Sequence, residues 1–189
     1  MHIETIRSLP ELANLEKEWN ELLAKSASHV PFLRHEYITA WWHGLGGGEW
    51  EHGELNIVTA RQDAGELVGI APLFLTENQQ GEPALMLLGS IEISDYLDVI
   101  AHPDDLPAFL EALLSHLGNE QTAGAHLLDL YNILEDSPSI PALQATAEKL
   151  GWSSNLEALQ HCPYIPLPGD WEKYICGIDK KQRHEIRRK

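Results

Sequence analysis

Four strand-like runs between residues 54 and 101 restrict the fold of this chain more than any other feature. The runs cover residues 54–61, 66–76, 83–88 and 95–101, and turn-forming residues separate them. Consecutive strands joined by short turns pair in antiparallel fashion, so these runs predict a meandering, largely antiparallel sheet. Pro72 lies inside the second run, and because proline has no N–H to donate, it predicts a bulge or an edge position there.

Helical and further strand-like patterns surround these runs. Apolar residues at helical spacing predict helices over residues 11–25, 34–45 (ended by Gly46 to Gly48), 106–117 (ended by Gly118) and 137–150 (ended by Gly151). Strands are predicted over residues 2–7, 125–131 and 152–159. A helix, strand, helix, strand order is typical of a crossover unit. The fold class is therefore α/β, with a mixed, mainly antiparallel central sheet flanked by helices.

The stretch LGSIEISDYLDVIA, residues 88–101, places polar residues in an apolar region. If residues 95–101 form a strand, successive side chains point to opposite faces. Leu97, Val99 and Ala101 would then face inward, while Tyr96 and Asp98 would face a substrate or water.

Charge is distributed unevenly along the chain. The formal net charge is −16, and residues 1–178 carry 7 Lys/Arg against 27 Asp/Glu, whereas residues 179–189 carry 6 against 2. An acidic body repels phosphate backbones, which argues against nucleic-acid binding over its general surface. Neither a bilayer-spanning apolar run nor a signal-peptide pattern is present in these 189 residues, so the cytoplasm is the expected location.

The cysteine and histidine patterns favour neither disulfides nor metal. Cys162 and Cys176 are too few for a disulfide framework and are predicted to be reduced, packed thiols. The ten histidines lack zinc-site spacings, so no metal is expected.

The C-terminal segment predicts two short helices, capped by Asp170 and Asp179. The second, KKQRHEIRRK, reaches Lys189 without a terminating residue, which is the pattern expected of a truncated chain or a piece of a longer one. This helix is either a solvated linker or a phosphate contact made by Lys181, Arg183, Arg187 or Arg188.

Common catalytic motifs are absent from the sequence. It contains no GxSxG elbow, no GxxxxGKS/T loop and no GxGxxG after a strand. The QTAGA segment, residues 121–125, is a poor match to a coenzyme A pyrophosphate loop, because it precedes a predicted strand instead of joining a strand to a helix.

Two acids in the 88–101 stretch are the candidates for chemistry. Asp95 and Asp98 flank Tyr96, and an acid beside an apolar wall can have its pKa raised into the range of a general base. Alternatively, Asp95 caps a turn and Asp98 is solvated, or Asp98 pairs with the basic helix. Trp41 is either a core residue or the wall of a pocket.

Several segments occur in an order that resembles one protein family. They are FLRHEYITAWW, VGIAPLFL, LGSIEISDYLDVIA, HLLDLYNI, CPYIPLP, WEKYI and KKQRHEIRRK. Together they resemble the N-terminal half of the CelD-type, FemAB-like acetyltransferases of the GNAT superfamily, over nearly all 189 residues. The resemblance is specific through the combination of the aromatic helix, the APL strand, GS-x4-DYLD and K-x-R-x-x-x-R-R.

The resemblance implies a first, degenerate GNAT-like domain over residues 1–168 and a basic helical linker over 169–189. The acyl-coenzyme A site, for acetyl-CoA or another acyl-CoA, would lie in a second GNAT domain, so this piece alone is expected to bind no cofactor and to be inactive. Asp95, Tyr96 and Asp98, with Arg34 and Trp41 as weaker candidates, would contact a small-molecule, glycan or peptide acceptor whose amine or hydroxyl is acylated. The alternative is a non-catalytic interaction domain with an acidic surface.

Overall fold

The computed structural model describes residues 1–89, 91–119 and 125–188. It divides the chain into two compact units, Met1–Asn155 and Leu156–Lys189. The basic linker predicted from residue 169 lies within the second unit. The QTAGA segment falls almost entirely outside the described residues, as does Ser90.

Eight strands occur in the described part of the first unit. They are β1 (His2–Ile6), β2 (Glu54–Leu55), β3 (Ile57–Arg61), β4 (Leu67–Ala71), β5 (Leu73–Glu77), β6 (Pro83–Leu87), β7 (Ile100–Ala101) and β8 (Leu127–Asp129). They form two four-stranded sheets with the orders β1-β3-β4-β7 and β2-β5-β6-β8. Every pairing is antiparallel except that of β6 with β8, which is parallel. The α/β fold class with mainly antiparallel strands is confirmed.

Pro72 separates the two sheets. The chain runs from β4 directly into β5, and the proline between them changes the partners of the strand, because it lacks the N–H that a continuous ladder requires. The Pro72 carbonyl accepts a hydrogen bond from the Leu88 N–H at 2.7 Å, and the Asn56 N–H donates to the Leu73 carbonyl at 3.0 Å. The sequence predicted a bulge or an edge position at Pro72; the proline instead lies in a break between β4 and β5, and each of these strands is paired on both sides.

Five α-helices accompany the sheets in the described part of this unit. They are α1 (Leu9–Ala13), α2 (Glu16–Leu23), α3 (His35–Gly48), α4 (Leu106–Asn119) and α5 (Ser139–Leu150). The helix predicted over residues 11–25 is broken between α1 and α2. Its apolar stripe is buried as predicted; Trp19 is fully buried and donates its indole N–H to the Leu33 carbonyl at 2.8 Å.

Glycine residues predicted the end of α3 correctly but not the end of α4. Positive φ angles at Leu45 (42°), Gly46 (69°) and Gly47 (73°) interrupt the helical geometry of α3, as the glycine run predicted. The prediction that Gly118 ends α4 is wrong. The helix continues through Gly118, beside which the Trp152 ring lies.

Two predicted strands are shorter than expected or missing. The buried strand predicted over residues 125–131 is the three-residue β8, paired with β6 in the described residues and only partly buried. The strand predicted over residues 152–159 is wrong, since this segment has neither helix nor strand and Leu156 and Leu159 are exposed.

The second unit contains α6 (Trp171–Gly177) and α7 (Lys180–Arg188). Both predicted caps are confirmed: Asp170 accepts from the Lys173 N–H at 2.8 Å, and Asp179 accepts from the Lys181 N–H at 2.8 Å. At least one basic side chain of α7 has an acidic partner, because Arg187 pairs with Glu172 at 2.9 Å.

Membrane insertion by a helix is not supported in the described ranges. None of the helices there combines the length and the apolar character needed to cross a bilayer.

Candidate functional site

The 88–101 stretch is mostly a loop. Among its described residues, 88, 89 and 91–101, only Ile100 and Ala101 belong to a strand, and five successive residues, Leu97 to Ala101, are at most 3% exposed. Leu97, Val99 and Ala101 are buried as predicted, whereas the outward position predicted for Asp98 is wrong, because Asp98 is buried with them. Side chains on both sides of this segment are enclosed, which a strand with one solvated face cannot achieve.

The carboxylate of Asp98 binds three donors. Its Oδ2 accepts from the hydroxyls of Ser28 at 2.6 Å and Ser137 at 2.5 Å, and its Oδ1 accepts from the Val99 N–H at 2.8 Å. Asp98 is 2% exposed. Its oxygens thus join three separate chain segments, and in this conformation they are not directed to solvent.

Residues 91–97, with the sequence IEISDYL, form what we call the 91–97 loop. Asn132, which has a φ of +61°, donates from its side-chain amide to the carbonyls of Ile91 (2.9 Å) and Ser94 (2.6 Å), and its carbonyl accepts from the Leu97 N–H at 2.9 Å. Asparagine tolerates this left-handed backbone better than most residues. Asn132 therefore holds the loop through its side-chain amide and its backbone carbonyl.

Helix α3 holds the loop from another side. The Tyr37 hydroxyl lies 3.2 Å from the Ile93 carbonyl, to which it donates, and 2.8 Å from the Ser94 hydroxyl. Ser94 is 1% exposed, whereas Ile93 is 50% exposed. The loop thus directs one residue into the protein and presents its neighbour to solvent.

Glu49, at the end of α3, supplies a third attachment. Its Oε1 accepts hydrogen bonds from the backbone N–H groups of both Ile91 and Glu92, the second at 3.2 Å. Its Oε2 is enclosed and has no hydrogen-bond partner among the described residues. Burial, which outweighs the two N–H donors, raises the pKa of the Glu49 carboxyl above its ordinary value.

Trp41 lies beside Glu49 but serves the core. Its ring, 5% exposed, packs edge-on against Phe74 at 5.2 Å between centroids, and Trp42 and Trp50 approach the same phenylalanine. Its indole N–H is enclosed without a partner in the described residues. Of the two interpretations of Trp41, core packing describes its surroundings.

Arg34 is separate from this cluster. It lies at the start of α3 and forms an exposed ion pair with Glu36 at 2.9 Å, and that guanidinium is the main reason why the pKa of Glu36 falls to about 2. An exposed pair of this kind adds little stability.

The five residues predicted to form one site therefore lie in different surroundings. Asp95, which is exposed, and Tyr96, which is half-buried, lie on the 91–97 loop, and the buried Asp98 follows it. Trp41 lies in the core near Glu49. Arg34 lies at the start of α3, away from these residues. Sequence analysis missed Tyr37, Glu49 and Asn132. A local signal existed only for Glu49, which is a lone acid between a glycine run and Trp50.

The residues that the structure describes contain neither a cluster of metal ligands nor a disulfide. No group of three or more His, Cys, Asp or Glu side chains there is arranged to hold a metal ion. Both cysteines are free, as predicted, but they are exposed, so the prediction that they are packed is wrong.

Comparison with known proteins yields structural likeness at low sequence identity. No family model matches the sequence, and no curated protein matches it. Similar solved structures include the following three N-acetyltransferases. Glucosamine-6-phosphate N-acetyltransferase from Arabidopsis thaliana is 13% identical, with a TM-score of 0.45, over 88% of this chain and 100% of that one. The aminoglycoside 6'-N-acetyltransferase AAC(6')-Ih from Acinetobacter baumannii is 12% identical, with a TM-score of 0.48, over 87% and 99%. A ribosomal-protein-alanine N-acetyltransferase from Brucella melitensis biovar Abortus 2308 is 17% identical, with a TM-score of 0.44, over 87% and 100%.

Proposed function

We propose that this chain is a GNAT-type acyltransferase domain that contributes acceptor contacts through the 91–97 loop. The reaction would transfer an acyl group from an acyl-CoA to an amine or hydroxyl. The ordered series of segments that resembles the FemAB-like acetyltransferases supports the family assignment. The observation that carries the role of the loop is its scaffold: Tyr37, Glu49 and Asn132 bind its backbone or Ser94.

A scaffold of this kind suits acceptor binding for a physical reason. Acyl transfer needs a nucleophile held in a fixed position, and pre-ordered groups reduce the entropy lost when it binds. Side-chain hydrogen bonds order the loop without using the exposed carboxylate of Asp95. Asp95 would attract an ammonium group of the acceptor, and Tyr96, the next residue, would pack against it.

The other predicted site residues receive different functions in this proposal. The oxygens of Asp98 already bind two serine hydroxyls, so Asp98 supports the loop. Arg34 is paired with Glu36, and Trp41 packs against Phe74. Acceptor contact is therefore assigned to Asp95 and Tyr96.

The surroundings of the loop do not fit the diphosphate of coenzyme A. Glu49, Glu92 and Asp95 are all acidic, and the N–H groups of Ile91 and Glu92 already bind a carboxylate. Acetyl-CoA or another acyl-CoA would supply the thioester from a site outside the loop, which we place in a second GNAT domain. The loop itself would act on the acceptor alone.

Isothermal titration calorimetry with acetyl-CoA tests that placement. We expect no binding of micromolar affinity to residues 1–189, because the loop lacks cationic partners for a diphosphate. Saturable micromolar binding would contradict the placement of the cofactor outside this chain.

Asp95→Asn tests acceptor contact. In the protein expressed from its complete reading frame, we expect the acceptor KM to rise about tenfold or more, which corresponds to about 1.4 kcal/mol of lost binding. Amine and hydroxyl acceptors are screened first by coenzyme A release. Asp63→Asn is the matched control, because Asp63 is a fully exposed acid in the turn after β3. Equal KM values for both variants would refute the contact.

A non-catalytic binding domain is the second candidate. Tyr164, 82% exposed, and Trp171, 58% exposed, favour it, because large exposed apolar side chains are typical of recognition surfaces. Acyl transfer to any acceptor of the screen would exclude this candidate, and failure of the whole screen would favour it.

A further inference from the structure

Glu49 lies at the end of α3 but binds the backbone of a distant loop, a contact that a helix end does not require. It follows three glycines, of which Gly46 and Gly47 have φ angles of +69° and +73°, so the chain turns back and brings Glu49 beside Gly46. The carboxylate then reaches the backbone of a loop 42 residues further along the chain. A long-range contact of this kind joins the end of α3 to the start of the 91–97 loop.

The two oxygens of this carboxylate have unequal environments. Oε1 accepts from two backbone N–H groups, whereas Oε2 has no partner among the described residues and is enclosed. The indole N–H of Trp41, also enclosed and without a partner among those residues, lies close by. From the point that a Cβ of Gly46 would occupy, Oε2 is 2.9 Å away and the Trp41 nitrogen 3.1 Å away. The charged form thus loses hydration at Oε2 without a compensating hydrogen bond.

We propose that Glu49 is a positioning residue for the 91–97 loop, which it holds in place through the N–H groups of Ile91 and Glu92, and that this hold tightens when Glu49 takes up a proton. The hydrogen bonds of Glu49 to Ile91 and Glu92 alone support the statement that Glu49 holds the loop. Only the description of the loop as an acceptor loop rests on the proposed function.

The direction of the pH effect follows from linkage. Burial raises the pKa of Glu49 in the closed loop, and an opened loop returns the carboxyl to water and to its ordinary pKa. Closing therefore takes up a proton. The stabilisation that this proton gives to the closed loop is fully present below the ordinary pKa of glutamate. It is lost as the pH rises through the raised pKa of Glu49, so acidification from neutrality favours the closed loop.

Neighbouring charges act in the same direction. Among the described residues, the charged side chain that acts on Glu49 through space is that of Glu92, on the loop itself, and its negative charge also raises the pKa of Glu49. From α3, the neighbours Trp41 and Gly46 carry no charge. Glu92→Gln should therefore move the effect to lower pH without abolishing it.

Amide hydrogen exchange measured by NMR tests the proposal. Protection of the Ile91 amide, corrected for the intrinsic pH dependence of exchange, is expected to rise about threefold or more as the pH falls from 7 towards the ordinary pKa of glutamate. The amides of β4 report global stability in the same samples. Flat or falling protection of Ile91 in the wild type would overturn the proposal.

Two variants identify the titrating group. Glu49→Gln keeps an oxygen that accepts from both N–H groups but cannot titrate, so its protection should be high and independent of pH. Glu49→Ala removes the acceptor, so exchange at Ile91 should be fast at every pH. A pH dependence that persists in Glu49→Gln would assign the effect to another group and overturn the proposal. Because exchange needs no substrate, its outcome is separate from that of the acyl-transfer assay.

Discussion

Replacement of Gly69 by alanine is expected to destabilise the protein by about 3 kcal/mol, because overpacking of a well-packed core costs roughly this much. A Cβ at Gly69 would lie 2.3 Å from Cδ2 and 2.4 Å from Cγ of Phe109. The ring is fully buried on α4, and β4 is paired on both sides, with β3 and β7. Neither the ring nor the strand has room to move away.

Urea denaturation followed by circular dichroism measures this loss. Gly44→Ala is the matched control, since no atom lies within 4 Å of its Cβ position and alanine favours a helix; we expect no loss, or a gain of about 0.5 to 1 kcal/mol. In a Phe109→Ala background the Gly69→Ala change should cost little, because the clashing ring is gone. A Gly69→Ala protein as stable as the wild type would contradict the packing of α4 on β4.

Replacement of Asp98 by alanine is expected to cost about 3 kcal/mol of stability. It removes the acceptor of the Ser28 and Ser137 hydroxyls, and loss of hydrogen bonds to a charged, buried partner is costly. The same change opens a small void where the carboxylate joined three segments. Thermal and urea unfolding would both report the loss.

Two related variants separate support from substrate contact. Asp98→Asn retains one oxygen, so it should lose less stability than Asp98→Ala. Asp95→Asn, at an exposed position, should stay within about 0.5 kcal/mol of the wild type. If Asp98→Ala kept its stability but lost acyl transfer, Asp98 would return to the group of acceptor contacts, and the interpretation as a support would be wrong.

Sequence analysis succeeded where the signal is local. The apolar stripe of α4 predicted a helix whose buried face includes Phe109, and the caps at Asp170 and Asp179 were predicted correctly. Pro72 predicted a local interruption of strand pairing, although as a bulge or an edge position and not as the break between two sheets that the structure has. Each of these signals depends on residues within one or two turns of chain, or on a missing N–H.

The strand predicted over residues 95–101 is wrong except at Ile100 and Ala101, because alternating polarity was taken for a strand. Apolar and polar residues do alternate there, but the backbone is held by side chains from Tyr37, Glu49 and Asn132. The strand predicted over residues 152–159, as the last part of a crossover unit, is absent as well. A period of two residues predicts a strand only if a neighbouring strand is available to pair with it.

The sequence by itself determined the class of fold, most of its helices and the acidic character of its surface. Only the tertiary structure decided which acid is buried, which is exposed and which holds the loop. The contacts responsible join residues far apart in the chain: Asp98 and Ser28 are separated by 70 positions, Asp98 and Ser137 by 39, and Glu49 and Ile91 by 42. Periodicity within a segment carries no information about such partners, because they meet only when the whole core has packed.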